Sequence, residues 1–407
     1  MSTDVVVTGI GVTAPTGLSV KEYWDATLAG TGGIGPLAGY DTSGYTARLA
    51  GQITGFDAGE YLPGRLLPQT DRVTRLALVA AERALDDARA DIAELGTYAC
   101  GVVTSNATGG FEFSHREMRR LWSQGPEHVS VYQCFAWFYA VNTGQISIRH
   151  KMRGPGGVIV AEQAGGLDAI GQARRTIAHG RSRLMLTGGV ESSFDPWGWV
   201  SHLASGTVST RTDPTAAYLP FDRRADGYVP GEGGALLVLE DAEAAGRRTD
   251  RRPYGRITGY AATFDPAPGT GRPPALRRAI ELALADAGLE PDGVDLVVAD
   301  AAGVAELDAQ EADALRAVFG PFGVPVCAPK TMVGRLMAGA GPLDVVCALL
   351  ALRDDVIPPA VHVTDVVEDY RIDLVRDRPR PCPMSTALVL ARGAGGFNSA
   401  VVVERIP

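Results

Sequence analysis

Gly154-Pro155-Gly156-Gly157-Val158-Ile159-Val160-Ala161-Glu162-Gln163-Ala164-Gly165-Gly166-Leu167-Asp168 is the stretch on which the reading of this 407-residue chain turns. A β-branched run ends in a tight turn of small residues, and a helical pattern begins at once. That is the geometry of a nucleophile elbow. Small neighbours let the backbone turn sharply, and the following helix N-terminus offers free N–H groups and positive potential. A cysteine at the apex would be activated there as its thiolate. The apex residue is instead Gln163, whose neutral carboxamide is no nucleophile but can donate and accept hydrogen bonds. On these residues alone a second reading stands beside the first: a glycine-rich strand-to-helix loop with a glutamine on the surface.

Working outward, the same strand-then-helix plan appears twice. Arg75 to Arg89 has an Ala/Leu-rich helical pattern and is followed by the strand-like run Ala99 to Val103. Leu276 to Gly288 is a similar helix, followed by Val294 to Val298. A second pair follows in the same order. Val158 to Val160 leads into Gln163 and a helix near Leu167 to His179, and Val324 to Val326 leads into Lys330 and a helix near Leu343 to Leu352. Such repetition points to two similar α/β halves sharing one core. The charged Ala/Arg-rich stretch Asp241 to Pro253 marks the boundary, giving halves of about 1–240 and 241–407.

Composition narrows the class. With 45% hydrophobic residues the chain can bury a large core. The net charge is −9, with no basic run, which argues against nucleic acid as a partner. Met1 to Asp4 runs straight into Val5-Val6-Val7, so no signal peptide is expected. The longest apolar stretch, Val345 to Leu352, is too short to span a bilayer. The five cysteines (Cys100, Cys134, Cys327, Cys347 and Cys382) are scattered and never spaced CxxC. A reducing cytoplasmic setting is expected, with neither metal site nor disulfide framework.

Four further motifs, in order, resemble those of the β-ketoacyl synthases. They are Asp213-Pro214 with Pro220-Phe221-Asp222-Arg223; Gly227-Tyr228-Val229-Pro230-Gly231-Glu232-Gly233-Gly234; Ala328-Pro329-Lys330-Thr331 with Gly334-Arg335-Leu336; and Gly393-Ala394-Gly395-Gly396-Phe397-Asn398. The resemblance spans essentially the whole chain. It implies a thiolase-like fold, with duplicated halves in an αβαβα five-layer sandwich.

The departures from that family are more telling than the matches. Its members condense with a cysteine and two histidines. Here those positions hold Gln163, Asp300 and Arg335, while Lys330 and Glu311 of the frame are kept. Loss of all three groups with retention of the frame resembles one subfamily, the chain length factors (ketosynthase β subunits) of bacterial type II aromatic polyketide synthases. The runs Val160 to Asp168, Gly64 to Asp71 and Asp195 to Trp199 also match it closely.

That resemblance implies a non-condensing subunit in an obligate heterodimer with a ketosynthase α subunit. The chain would wall the tunnel that sets poly-β-ketone length. No cofactor of its own is implied, since a phosphopantetheinylated acyl carrier protein delivers the substrate to the partner subunit. Phe111, Ser114 and Met118, spaced i, i+3 and i+7 on one helix face, are the implied tunnel residues, with Trp197 near the end. Ser114 is small and Met118 flexible, which fits an octaketide-sized or somewhat longer chain.

The run Tyr132, Phe135, Trp137, Phe138 and Tyr139 is too dense in aromatics for a solvent face. It belongs to core or interface, and the interface is favoured. Asp300 and Arg335 are expected to meet across the former catalytic pocket, because an isolated buried charge would be costly. The alternative is a loading enzyme that decarboxylates malonyl-carrier protein through Gln163 to make the acetyl starter. A second rival, a stand-alone homodimeric condensing enzyme, is disfavoured by Gln163.

Overall fold

A computed structural model describes residues 4–249, 251–267 and 269–406. Met1 to Thr3 of the N-terminal reading lie outside the described residues.

The first half supplies strands β1 (Val5–Thr13), β2 (Cys100–Ser105), β3 (Gly156–Ile159), β4 (Leu184–Glu191) and β5 (Gly233–Asp241). The second supplies β6 (Gly255–Phe264), β7 (Leu296–Val298), β8 (Pro325–Cys327), β9 (Thr386–Gly393) and β10 (Phe397–Glu404). Their spatial orders are β3-β2-β4-β5-β1 and β8-β7-β9-β10-β6. The pairing senses match as well. β2 runs parallel to β3 and β4, and β5 is antiparallel to β4 and β1. β7 runs parallel to β8 and β9, and β10 is antiparallel to β9 and β6. Two stretches with unrelated side chains thus build one topology, and the faint repetition of the sequence is a duplication of architecture.

Eight of the helices position the site: α1 (Arg72–Asp87), α2 (Phe111–Gln124), α3 (Val141–His150), α4 (Gly165–Ala178), α5 (Pro196–Ala204), α6 (Leu276–Ala287), α7 (Ala305–Phe319) and α8 (Ala340–Asp354). α1 covers β1 and β5 from one side, α6 covers β6 and β10 from the other, and α4 and α8 lie between the halves. The buried apolar residues divide accordingly. An inner cluster joins Leu167, Ile170, Leu343 and Val346 to strands of both halves. One outer cluster lies under α1 and another under α6. This is the five-layer αβαβα arrangement of the thiolase-like fold.

α8 is buried on every side from Ala340 to Leu352, as a helix in a central layer must be. It can approach α4 closely because residue 166 has no side chain. A Cβ on Gly166 would sit 2.3 Å from Pro342 Cδ and 2.4 Å from Ala338 O.

Element limits differ from the sequence reading by a few residues. α1 begins at Arg72 rather than Arg75 because the Asp71 side chain accepts the Val73 N–H (2.9 Å) and fixes the cap. β3 ends at Ile159, leaving Val160 outside the strand and exposed. Among the described residues no helix is long and apolar enough to cross a membrane.

Candidate functional site

β3 leads straight into the turn that carries Gln163. Its chain turns through Ala161, and Glu162 adopts φ 48°, in the left-handed region. Such a conformation in a non-glycine residue costs about 1–3 kcal/mol and must be held from outside. The hold here is the Glu162 carboxylate, which accepts the Ala394 N–H at 2.7 Å from the glycine loop after β9. One residue later Gln163 points inward and is fully buried, just before α4 begins at Gly165. The surface-glutamine reading of this turn is therefore wrong: the elbow is real and its apex faces the interior.

The three departures from the condensing set meet there. Arg335 Nη1 donates to Asp300 Oδ2 at 3.2 Å, and Gln163 Nε2 donates to Asp300 Oδ1. All three side chains are buried. Asp300 Oδ1 also accepts the Arg392 N–H at 2.8 Å, and Arg335 Nη2 donates to Arg392 O at 2.6 Å. The Arg335 guanidinium lies over the Tyr228 ring, 5.8 Å from its centroid. One carboxylate thus takes three donors and one guanidinium takes two acceptors and a ring, which is what allows both charges inside the protein. Burial works to raise the Asp300 carboxyl, but Arg335 beside it, aided by Lys330 and Arg392, outweighs burial and holds it below the usual range. The expected plug is present, and Gln163 is its third member.

Lys330 and Glu311 support this cluster from behind. Lys330 Nζ donates to Ala299 O at 2.6 Å and to the Asp344 carboxylate. Glu311 accepts the N–H groups of Asp300 (2.7 Å) and Ala301 (2.8 Å). Ala301 is itself at φ 50°, so the carboxylate stabilises a strained turn that aims Asp300 at Gln163. Burial, reinforced by the nearby Asp300 charge, pushes the Glu311 carboxyl up to about 7. Burial also takes Asp344 up to about 6, against the pull of Lys330. The frame residues hold backbone and leave nothing free for chemistry.

A cavity of about 980 Å³ opens beside the cluster, and Glu162, Arg335, His202 and Phe111 are among its lining residues. Gln163 and Asp300 do not reach it. Gln163 Oε1 has no partner among the described residues, so an acceptor is left unmet at the apex. Among the described residues, no group of three or more His, Cys, Asp or Glu could hold a metal ion.

Phe111 opens α2 and stacks on Trp197 of α5, with ring centroids 4.9 Å apart and planes 5° from parallel. Ser114 is buried, its hydroxyl accepting from Gln133 Nε2 at 3.2 Å. Met118 follows one turn later, partly buried. Of these four, only Phe111 also lines the large cavity. The aromatic segment packs beside the start of α2, where the Gly110 N–H donates to Trp137 O at 3.1 Å. Trp137 is 44% and Phe138 40% exposed, with Val131 at 77%, while Tyr132 and Phe135 are half-buried. The run is not core.

Both halves match models of one family over most of the chain. Residues 2–245 match the β-ketoacyl synthase N-terminal domain and residues 254–364 the C-terminal domain. The chain belongs to the β-ketoacyl synthase family. It is 62% identical over 401 residues to the actinorhodin polyketide β-ketoacyl synthase 2 of Streptomyces coelicolor, covering 98% of each chain. It is 57% identical to the tetracenomycin polyketide synthase ketoacyl synthase β subunit of Streptomyces glaucescens, again covering 98% of each. Among solved structures, the ishigamide ketosynthase/chain length factor superposes with TM-score 0.91 at 26% identity. A type II polyketide synthase acyl-carrier protein in complex with its ketosynthase gives 0.90 at 27%. Each of the two solved chains and this one are covered in full.

In this member of the family, two site residues were not visible in the sequence: Arg392 and Asp344 contribute to the plug and its frame beside the motif residues, as do Glu162 and Tyr228 from the quoted motifs. Arg392 directly precedes the glycine loop already singled out, and that adjacency was its only available signal.

Proposed function

We propose that this chain is the non-condensing chain length factor subunit of a type II polyketide synthase. The single observation that carries the reading is the closed Gln163–Asp300–Arg335 cluster. A condensing site needs a nucleophile and donors facing substrate. Here the nucleophile position is an amide bound to a carboxylate, and the would-be donors are consumed by one another.

The working partner is a ketosynthase α subunit, and the exposed aromatic segment is the proposed contact. Two further features support it. β3 is the outermost strand of the first half, with its far edge unpaired among the described residues, and Val160 at its end is exposed. Unpaired edges and contiguous apolar surface are liabilities that a partner removes. Phe111, Ser114 and Met118 lie on the helix beside that segment, so a chain growing from the partner along the interface would meet them. Each extension beyond the available length then meets an overpacking cost of about 1–3 kcal/mol, enough to favour release or cyclisation over growth. The acyl carrier protein is a transient visitor that serves the partner's cysteine, and the complex works in the cytoplasm.

The decarboxylase alternative is less well supported. Gln163 does not line the cavity, and one of its two N–H groups is taken by Asp300. Purified heterodimer carrying Gln163→Ala, supplied with acetyl- and malonyl-carrier protein, is expected to elongate as the unmodified complex does. Loss of malonyl decarboxylation in that variant, with rescue by added acetyl-carrier protein, would overturn this reading in favour of the alternative.

A further inference from the structure

The starts of α2 and α5 form a wall with a cavity on each side. Phe111 and Gly198 line the larger cavity, of about 980 Å³. Their sequence neighbours Glu112, His115, Asp195 and Pro196 line a second one, of about 570 Å³. The apolar seam of the wall is the Phe111–Trp197 stack. Its polar seam is a bond from His115 Nδ1 to Asp195 Oδ2, 2.8 Å long. That same Oδ2 accepts the backbone N–H of Trp197 at 3.0 Å, while Oδ1 accepts that of Gly198 at 3.2 Å. One carboxylate therefore caps α5, fixes the residue whose ring makes the stack, and ties both to α2.

We propose that His115 is a positioning residue for product length. Through Asp195 it latches α5 to α2 and keeps Trp197 stacked on Phe111, and the second cavity is the space a chain enters when the latch is open. The inference rests on the reading of Phe111 and Trp197 as tunnel wall. His115 faces the second cavity, so it acts through Asp195 and not by touching a chain held in front of the wall. The second cavity suits the proposed occupant. A volume of about 570 Å³ lies within the range of small-molecule sites. Its lining carries donors for the carbonyl oxygens that recur along a poly-β-ketone: Arg116, Arg119, and the Tyr40 hydroxyl, which is buried without a partner among the described residues.

The test uses the complete complex with its α subunit and carrier protein, and reads polyketide length by mass spectrometry. Four variants are compared with the unmodified chain: Trp197→Ala, His115→Ala, His115→Asn and Asp195→Ser. Serine still caps a helix but cannot reach His115, so Asp195→Ser opens the latch without removing the cap, and it decides the matter should His115→Ala fail to fold. His115→Ala and Asp195→Ser are each expected to raise the share of chains at least one ketide unit longer by about ten-fold, the factor set by losing one charge-assisted hydrogen bond, and Trp197→Ala, which removes the stacked ring itself, by at least as much. His115→Asn, whose side-chain N–H can still meet Asp195, is expected to restore most of the original distribution. Lengthening by Trp197→Ala with no change in His115→Ala or Asp195→Ser would overturn the latch while leaving the tunnel reading intact. Equal lengthening by His115→Ala and His115→Asn would overturn it too. No change in Trp197→Ala would remove the tunnel reading, and the latch with it.

Discussion

Around Gln163 the chain satisfies itself; around Trp137 it does not. Asp300 and Arg335 are buried charges, yet each finds several partners within the same chain. Glu311 and Lys330 hold the strained turn that brings them together. Between 25 and 32 residues before Gln163, Phe138, Trp137 and Val131 leave apolar surface in the open. In a condensing enzyme one would expect the reverse, with free groups at the site. The difference teaches where to look for function: the Gln163 centre is satisfied within the chain, and the exposed aromatic surface is the part that the proposed partner would cover.

The largest effect expected from breaking this contrast lies on the open side. Trp137→Asp together with Phe138→Asp should abolish co-purification with the α subunit, since central aromatic residues commonly carry about 2–4 kcal/mol each at an interface. The melting temperature of the isolated variant should hardly move, because both side chains are already exposed. Retained pairing would place the interface elsewhere. The buried area should exceed the standard ~1,600 Å², and a well-behaved monomer at nanomolar concentration would count against an obligate pair.

On the closed side, Arg335→Ala leaves Asp300 buried without its guanidinium. A loss of about 3–5 kcal/mol in unfolding free energy is expected, measured by denaturant titration of the complex. A loss below about 1 kcal/mol would mean that Arg392 and Gln163 suffice. Gln163→Ala should cost less, about 1 kcal/mol, because it removes one hydrogen bond whose acceptor keeps other donors.

The smallest effect is a dependence on pH. Burial raises the carboxyls of Asp71, Glu191, Asp308 and Glu311 to about 7 in the folded chain. Groups whose folded value is raised contribute stability that is full below their unfolded values and is lost as pH rises through the folded ones. The thermal midpoint should therefore fall by a few degrees between about pH 6 and about pH 8. A midpoint that stays flat over that window would show that the acids are already ionised in the folded state.

Much of the architecture was legible because periodicity and local punctuation are local properties. The helix beginning at Leu276 and the strand reaching Val298 lie where the pattern puts them. The Asp300–Arg335 contact was also legible, from a family resemblance joined to the cost of isolated buried charge. The direction of Gln163 was not, since a glycine-rich turn reads the same whether its apex faces inward or out. Nor was the His115–Asp195 bond, which joins residues 80 apart in sequence. No spacing rule records such a contact, and only the packing of α5 against α2 creates it. Asp344 escaped for the same reason, sitting in a helix so uniformly buried that its charge looked like an exception rather than a partner for Lys330.

The central claim is that this chain sets length without condensing. The most direct measurement holds one α subunit and one carrier protein constant and compares, by mass spectrometry, the polyketides made with the unmodified chain and with a Phe111→Ala, Met118→Ala variant. The account predicts continued turnover with a product lengthened by at least one ketide unit. An active complex whose product length is unchanged would contradict it.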